Sequence, residues 1–289
     1  MFRKMLIATD LTESSEFIIH ALQSLHRWGT REALIVHCFD FHDTGSVTNR
    51  TLELVEPFMK RQVEQLKNFG FTAESKLILG KPHIEVTREA EENDCSLIAC
   101  ADKSRSLMGE ALSGGVAAEL IHFATKPVLL IRLREKPEFS TTNRNYECEC
   151  LKHILFPTDF SDNAEHAFSY LKKLAECKAD HISLLHVQDK AKLHPHLSDR
   201  IEEFNEIDAE RLERMKKVLL AAGAGTVSID VVYGSPKSEI LKKIKEDDVR
   251  LTVMGSQGRG YVGDIFLGSV SHAVARKAES SLLLVPAIS

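Results

Sequence analysis

The chain contains itself twice, and that repetition restricts its fold more than any other feature. Lys4-Met-Leu-Ile-Ala-Thr-Asp10 is answered by His153-Ile-Leu-Phe-Pro-Thr-Asp159, and Leu34-Ile-Val-His37 by Ser183-Leu-Leu-His186. Gly80-Lys-Pro82-His-Ile-Glu returns as Gly234-Ser-Pro236-Lys-Ser-Glu. Ser96-Leu-Ile-Ala-Cys-Ala101 returns as Arg250-Leu-Thr-Val-Met-Gly255, and Lys126-Pro-Val-Leu-Leu-Ile131 as Ser280-Ser-Leu-Leu-Leu-Val285. The matches keep their order. Their spacing is 149 residues at Asp10 and Asp159 and 154 at Gly80 and Gly234, so the second half carries extra residues between its second and third strands. These are expected around Lys192 to Arg200, in a surface loop or an extended second helix.

Each half alternates short Val/Ile/Leu-rich runs with amphipathic segments, the pattern of a parallel sheet covered by helices on both faces. Strands are expected near 4–9, 33–39, 74–79, 96–101 and 127–132, then near 153–158, 181–187, 226–232, 250–255 and 281–285. Helices are expected near 13–27, 51–69, 82–93 and 114–124, then near 162–176, 197–222, 236–246 and 268–278. Pro82 and Pro236 follow a glycine turn and open helices, where a missing N–H is harmless. Leu133 to Glu149 is polar and aperiodic. The expected domains are therefore 1–133 and 151–289, joined by a linker at 134–150.

Composition narrows the function classes. With 43% hydrophobic and 27% charged residues the chain suits packed globular cores, and a net charge of −5 offers no general case for nucleic-acid binding. No apolar run reaches the ~18 residues of a membrane span. Met1 to Asp10 runs straight into a strand pattern without a signal peptide, which makes the cytoplasm the expected compartment. Of the six cysteines, Cys148 and Cys150 form a C-x-C that lacks zinc-ribbon spacing. The others lie in or beside apolar runs as small hydrophobes.

The chemistry concentrates in Met254 to Ser271. An apolar strand runs into Gly255 and Gly258; nine residues later Gly268 and Ser269 open an apolar-periodic helix. Glycines let the backbone approach an anion, and a helix start offers unpaired N–H groups and the positive end of its dipole. Ser269 and Ser271 are expected to add hydroxyl donors. In an open parallel sheet a ligand sits outside the carboxyl ends of the strands. There Asp159, Val187 and Gly255 end three strands of the second half. A carboxylate beside a phosphate loop suits ribose hydroxyls; the alternative for Asp159 is a helix cap or Asx-turn. His186 is expected to be a satisfied core residue rather than a ligand. The first half keeps Asp10 and Gly114 but has Ala101, Ser104, Gly115 and Ala117 at the positions of Gly255, Gly258, Ser269 and Ser271. Its site is expected to be degenerate or empty.

Other motifs fit poorly. Gly258-Arg-Gly260-Tyr-Val-Gly263 spells G-x-G-x-x-G but follows the fourth strand, not the first. Ser113-Gly-Gly lacks the Asp-Ser that follows it in pyrophosphatase-type loops, and neither a Walker A sequence nor H-x-G-H is present.

Together these residues resemble the universal stress protein (UspA) family in its tandem two-domain form, over almost the whole chain. Gly255-x-x-Gly258, nine residues, then Gly268-Ser269 is similar to the nucleotide-binding signature of the family's ATP-binding branch, as are Pro157-Thr158-Asp159-Phe-Ser and His186-Val187. The resemblance implies an α/β fold of two adenine-nucleotide alpha-hydrolase-like domains, each a five-stranded parallel sheet ordered 3-2-1-4-5. It implies that ATP or AMP is held with Asp159 on the ribose and the Val187 backbone on adenine. Pro157, Thr158 and Met254 would border the nucleotide, and Gly255, Gly258, Gly268, Ser269, Val270 and Ser271 would surround ribose and phosphates. Arg259, inside the loop, is placed by position and charge to pair with a phosphate. Members commonly dimerise through their last strands. Here Val128 to Ile131 and Leu282 to Val285 would make that pairing within one chain, with a homodimer as the further assembly.

Three functional classes stay open. The first is a nucleotide-binding stress or regulatory protein. The second is a slow ATPase, which needs a water-activating group and usually Mg²⁺, with Asp162 and Asp264 as candidate donors. The third is an interaction module holding another ligand.

Overall fold

The computed structural model describes residues 2–11, 13–39, 49–101, 116–132, 149–193, 201–258 and 267–287. They form two compact units, Met1–Cys148 and Glu149–Ser289. The expected linker lies outside the described residues up to 148.

The first unit runs β1 (Lys4–Ala8), α1 (Glu13–Leu22), β2 (Glu32–Phe39), α2 (Asn49–Asn68), β3 (Thr72–Leu79), α3 (Pro82–Glu92), β4 (Leu97–Ala101), α4 (Val116–Phe123) and β5 (Val128–Ile131). The second runs β6 (His153–Thr158), α5 (Asp162–Glu176), β7 (His181–Asp189), a single turn Lys190–Leu193, α6 (Ile201–Ala222), β8 (Thr226–Gly234), α7 (Pro236–Glu246), β9 (Leu251–Gly255), α8 (Ser269–Lys277) and β10 (Ser281–Val285). Within the units the strand orders are β3-β2-β1-β4-β5 and β8-β7-β6-β9-β10, the expected order in both. Every pairing within a unit is parallel. The middle strands are closed to solvent on both faces, with Met5, Leu6 and Ile7 in one unit and Leu155, Phe156 and Val253 in the other fully buried.

Local chemistry sets the element ends. Ser161 caps α5 by accepting from the Ala164 N–H, and Asp162 and Glu165 place charge at the positive end of its dipole. Pro82 and Pro236 open α3 and α7 as expected. One expectation needs correcting: the helix expected over 13–27 is α-helical only to Leu22. From Gln23 to Trp28 it tightens into a 3₁₀ turn, closed by Gly29 at φ +87°. The tightening brings the Trp28 ring 5.2 Å from that of Phe2, and both are buried. The second half's extra residues begin within the turn Lys190–Leu193; 194–200 lie outside the described residues. Among those described, no helix is long and apolar enough to cross a membrane.

The units share a frame but not its charges. On β3, Lys76 Nζ pairs with Glu89 of α3 at 2.8 Å; on β8, Asp230 accepts from Lys243 of α7 at 2.8 Å. The strand starts differ as well. Lys4 Nζ pairs with Glu74 at 3.4 Å in the first unit, while the second has a histidine–hydroxyl cluster. His153 and His181 stand opposite each other in the β6–β7 ladder with rings 4.6 Å apart. His153 Nδ1 donates to the Asp247 carbonyl at 2.9 Å, leaving Nε2 to accept from Ser183 Oγ at 2.8 Å. His181 Nδ1 lies 2.7 Å from Thr226 Oγ1.

Burial pushes both imidazoles below their ordinary value of 6.5; the Asp247 carbonyl opposes this for His153 and the Asp247 carboxylate for both, while the Lys243 cation adds a smaller push down for both. The unfolded chain thus binds these protons more readily than the folded one. Their stabilising contribution is full above pH 6.5 and declines as the pH falls below it. Acidification should weaken the second unit selectively, and the double change His153→Gln, His181→Gln should flatten that dependence. Amide hydrogen exchange of β6 to β8 between about pH 7.5 and 5 reads it. The single tryptophan, Trp28, reports the first unit by fluorescence as an internal control.

Candidate functional site

The site residues of the second unit gather at the carboxyl ends of its three middle strands. β6 ends at Thr158, paired with His186 of β7; β9, on the other side of β6, ends at Gly255. After Thr158 the chain makes a sharp elbow. Phe160 sits in the left-handed region at φ +58°, and its N–H donates to Thr158 Oγ1 at 3.0 Å. Asp159 Oδ1 accepts from the Ser161 N–H at 3.1 Å and from its hydroxyl at 2.6 Å. One carboxylate oxygen therefore makes the Asx-turn considered for Asp159. The other faces the loop after β9, where a Cβ on Gly258 would lie 2.8 Å from Oδ2.

That loop is drawn tight at both described ends. A Cβ on Gly255 would meet the Asn163 carbonyl at 3.1 Å, so β9 passes close under the start of α5. The Ser256 N–H donates to the Val285 carbonyl, and the Gly268 N–H to the Ser256 carbonyl, each at 2.7 Å. Gly268 caps α8, whose first N–H groups, on Ser269, Val270 and Ser271, have no carbonyl within the helix to pair with. Ser271 departs from expectation. Its hydroxyl is buried and donates to the Gly255 carbonyl at 2.9 Å, so it holds the loop and does not present a donor to an anion.

Ladder register sorts the remaining residues by face. Pro157 lies opposite Leu185, two positions before Val187; Leu155 lies opposite Thr252, which brings Met254 level with Pro157. Side chains alternate along strands, so Pro157, Val187 and Met254 share one face and form an apolar floor beside Asp159. Thr158, His186 and Gln188 take the other face, toward α6. His186 is buried, with Nδ1 donating to the Thr158 carbonyl at 2.8 Å, and is the satisfied core residue expected. Arg259, Gly260, Gly263 and Asp264 lie outside the described residues. Asp162 is exposed in the first turn of α5.

The first unit repeats the elbow. The Leu11 N–H donates to Thr9 Oγ1 at 3.2 Å with φ +59°, and His37 Nδ1 donates to the Thr9 carbonyl at 2.9 Å. Ala101 ends β4 where the second unit has Gly255. Ser104, Gly114 and Gly115 lie outside the described residues. Among those described, no group of three or more His, Cys, Asp or Glu could hold a metal ion. Cys148 is outside them, and Cys150 is buried and disulfide-bonded, which removes its thiolate as a ligand. Sequence reasoning missed the sharing of the Asp159 carboxylate between Ser161 and the loop. The signal was present in Thr158-Asp159-Phe160-Ser161, where an aspartate just after a strand can accept from the backbone N–H two residues on, and a serine there adds a second donor.

A model of the Universal stress protein family matches residues 1–132 and again 151–286. A universal stress protein of Methanocaldococcus jannaschii is 33% identical over 153 residues, covering 46% of this chain and 94% of its own. One from Thermus aquaticus is 36% identical over 138 residues, covering 46% and 98%. Over the full length, the crystal structure of a universal stress protein from Archaeoglobus fulgidus superposes with a TM-score of 0.77 at 21% identity, covering 99% of each chain, and so shares the fold.

Gly258→Ala tests the loop geometry. The added methyl should push the Asp159 carboxylate off Ser161 while changing stability by less than about 1 kcal/mol, because the displaced group is the end of a side chain. A crystal structure of the variant shows the displacement, and a thermal melt checks the stability.

Proposed function

The chain belongs to the universal stress protein family, and we propose that its C-terminal unit binds an adenine nucleotide, ATP or AMP, as a stress-response regulatory binding protein. One observation carries the reading: a carboxylate oxygen of Asp159 faces a loop position that only glycine fills without displacing it, next to a helix start. Asp159 Oδ2 would accept from the ribose hydroxyls. Pro157, Thr158, Val187 and Met254 border the space for the base, with the Val187 backbone reading its edge. Gly255, Gly258 and Gly268 leave room for ribose and phosphates. Ser269 contributes a hydroxyl, and the first-turn N–H groups of Ser269, Val270 and Ser271 meet anionic oxygens. Arg259 adds the cation for the phosphates. The N-terminal unit, with Ala101 in place of Gly255, keeps the frame without the ligand chemistry. The domains at 1–133 and 151–289 thus divide into a scaffold copy and a binding copy, both in the cytoplasm. The pairing of Val128 to Ile131 with Leu282 to Val285 belongs to this reading too. Each is the last strand in its own unit's order, and pairing would remove an open edge.

Denaturing freshly purified protein and quantifying the released nucleotide tests the reading. About one adenine nucleotide per chain is expected, matching the single complete site. Asp159→Ala should weaken rebinding by about 1.5–3 kcal/mol, tenfold or more. Two nucleotides per chain would overturn the scaffold role of the first unit. No nucleotide, and no uptake of added ATP or AMP, would favour the interaction module.

A further inference from the structure

Behind the elbow of the second unit lies a polar layer whose matching positions in the first unit, among the described residues, are apolar. Asp208, on α6, has a side chain only 14% exposed. Its Oδ2 accepts from Gln188 Nε2 at 3.0 Å and lies 3.4 Å from His186 Nε2, while its Oδ1 lies 3.9 Å from Arg211 Nη1. Both flanks of Asp159 are held by groups that Asp208 contacts. On one side His186 grips the Thr158 carbonyl, the peptide group that leads into Asp159. On the other, the Phe160 ring lies 4.5 Å from that of His186 and 4.9 Å beneath the Arg211 guanidinium.

The first unit has the same elbow without this layer. Matching the buried helix positions Met59 and Leu66 with Leu212 and Leu219 puts Val55 and Phe58 where Asp208 and Arg211 stand. By the strand repeat, Phe39 stands at the position of Gln188. The first unit thus forms the same elbow with apolar residues at these positions, Phe39 buried and Phe58 52% exposed. Enclosing a carboxylate instead is unfavourable unless it is paired, and the cost is incurred in the unit that carries the glycine-rich loop.

We propose that Asp208 is a positioning residue for the Asp159 site, fixing through His186 and Arg211 the angle at which the Asp159 carboxylate meets its ligand. The inference rests on the nucleotide reading above. Asp208 acts from the opposite face of the sheet to Pro157, Val187 and Met254, so it does not contact the nucleotide.

The test measures AMP affinity of the full chain by calorimetry, with His186 Nδ1–H followed by proton NMR in ¹⁵N-histidine protein. Asp208→Asn should weaken AMP binding about five- to tenfold and abolish the AMP-induced shift of the His186 signal. Asp208→Glu, which keeps the charge, should recover part of both, as a purely space-filling role would not. Arg211→Gln, at a half-exposed position the fold tolerates, should act in the same direction if Asp208→Asn fails to fold. Wild-type affinity retained in Asp208→Asn, or in Arg211→Gln should that variant replace it, overturns the inference alone. Wild-type protein that takes up no AMP overturns the nucleotide reading and this inference with it.

Discussion

A parallel sheet covered on both faces leaves little room for chemistry along its strands. Met5, Leu6 and Ile7 in β1, and Leu155 and Phe156 in β6, are enclosed above and below. Such positions admit apolar side chains at roughly 25 cal/mol for each Å² removed from water, and a charge there is strongly unfavourable. Functional groups are thus displaced to the strand ends. At those ends the chain must turn within two or three residues to begin a helix. Both units turn alike, with a threonine hydroxyl holding the N–H of a left-handed residue two positions on. The left-handed backbone costs ~1–2 kcal/mol for a residue other than glycine, so Leu11 and Phe160 persist there only because their surroundings hold them. Everything at the candidate site depends on that elbow, which decides where the aspartate between the two residues points.

The units show which parts of the frame are interchangeable. Elbow, strand order and the proline-started helices recur. So does the glycine before each proline, where a Cβ would meet the side chain of Glu85 in one unit and Glu239 in the other at 2.7–2.8 Å. Polarity recurs at the elbow but not throughout. The histidine–hydroxyl cluster replaces an ion pair, and a carboxylate with its partners replaces Val55, Phe39 and Phe58. Packing constrains shape more tightly than it constrains charge, provided each buried polar group keeps a partner.

Much of the fold was legible because the repeat made each half a check on the other. A short apolar run such as Leu251 to Met254 could be strand or helix by itself, but its match to Leu97 to Cys100 and its place between helical patterns settle it. Helix ends were less legible. The tightening at Gln23 depends on bringing Trp28 against Phe2, a contact between segments distant in sequence. The gathering of Asp159, Gly255, Gly258 and Gly268 at one set of strand ends was readable from their spacing. The hydroxyl of Ser271 was not, since its acceptor, the Gly255 carbonyl, is set by how tightly the loop closes. Nor was Asp208, whose position on a long polar helix gives no hint that it faces inward.

The exchanged polarity between β3–α3 and β8–α7 bears on how two such similar halves find their own partners. During synthesis the first half is complete while the second is still emerging, and a helix from one copy could dock on the sheet of the other. If α3 settled on β8, Glu89 would face Asp230; if α7 settled on β3, Lys243 would face Lys76. Each wrong assembly places like charges together at a spot where the right one forms an ion pair. Both pairs are partly buried, so like charges brought together there would be screened less than at an open surface. Like charges brought together in this way disfavour the mismatched alternative.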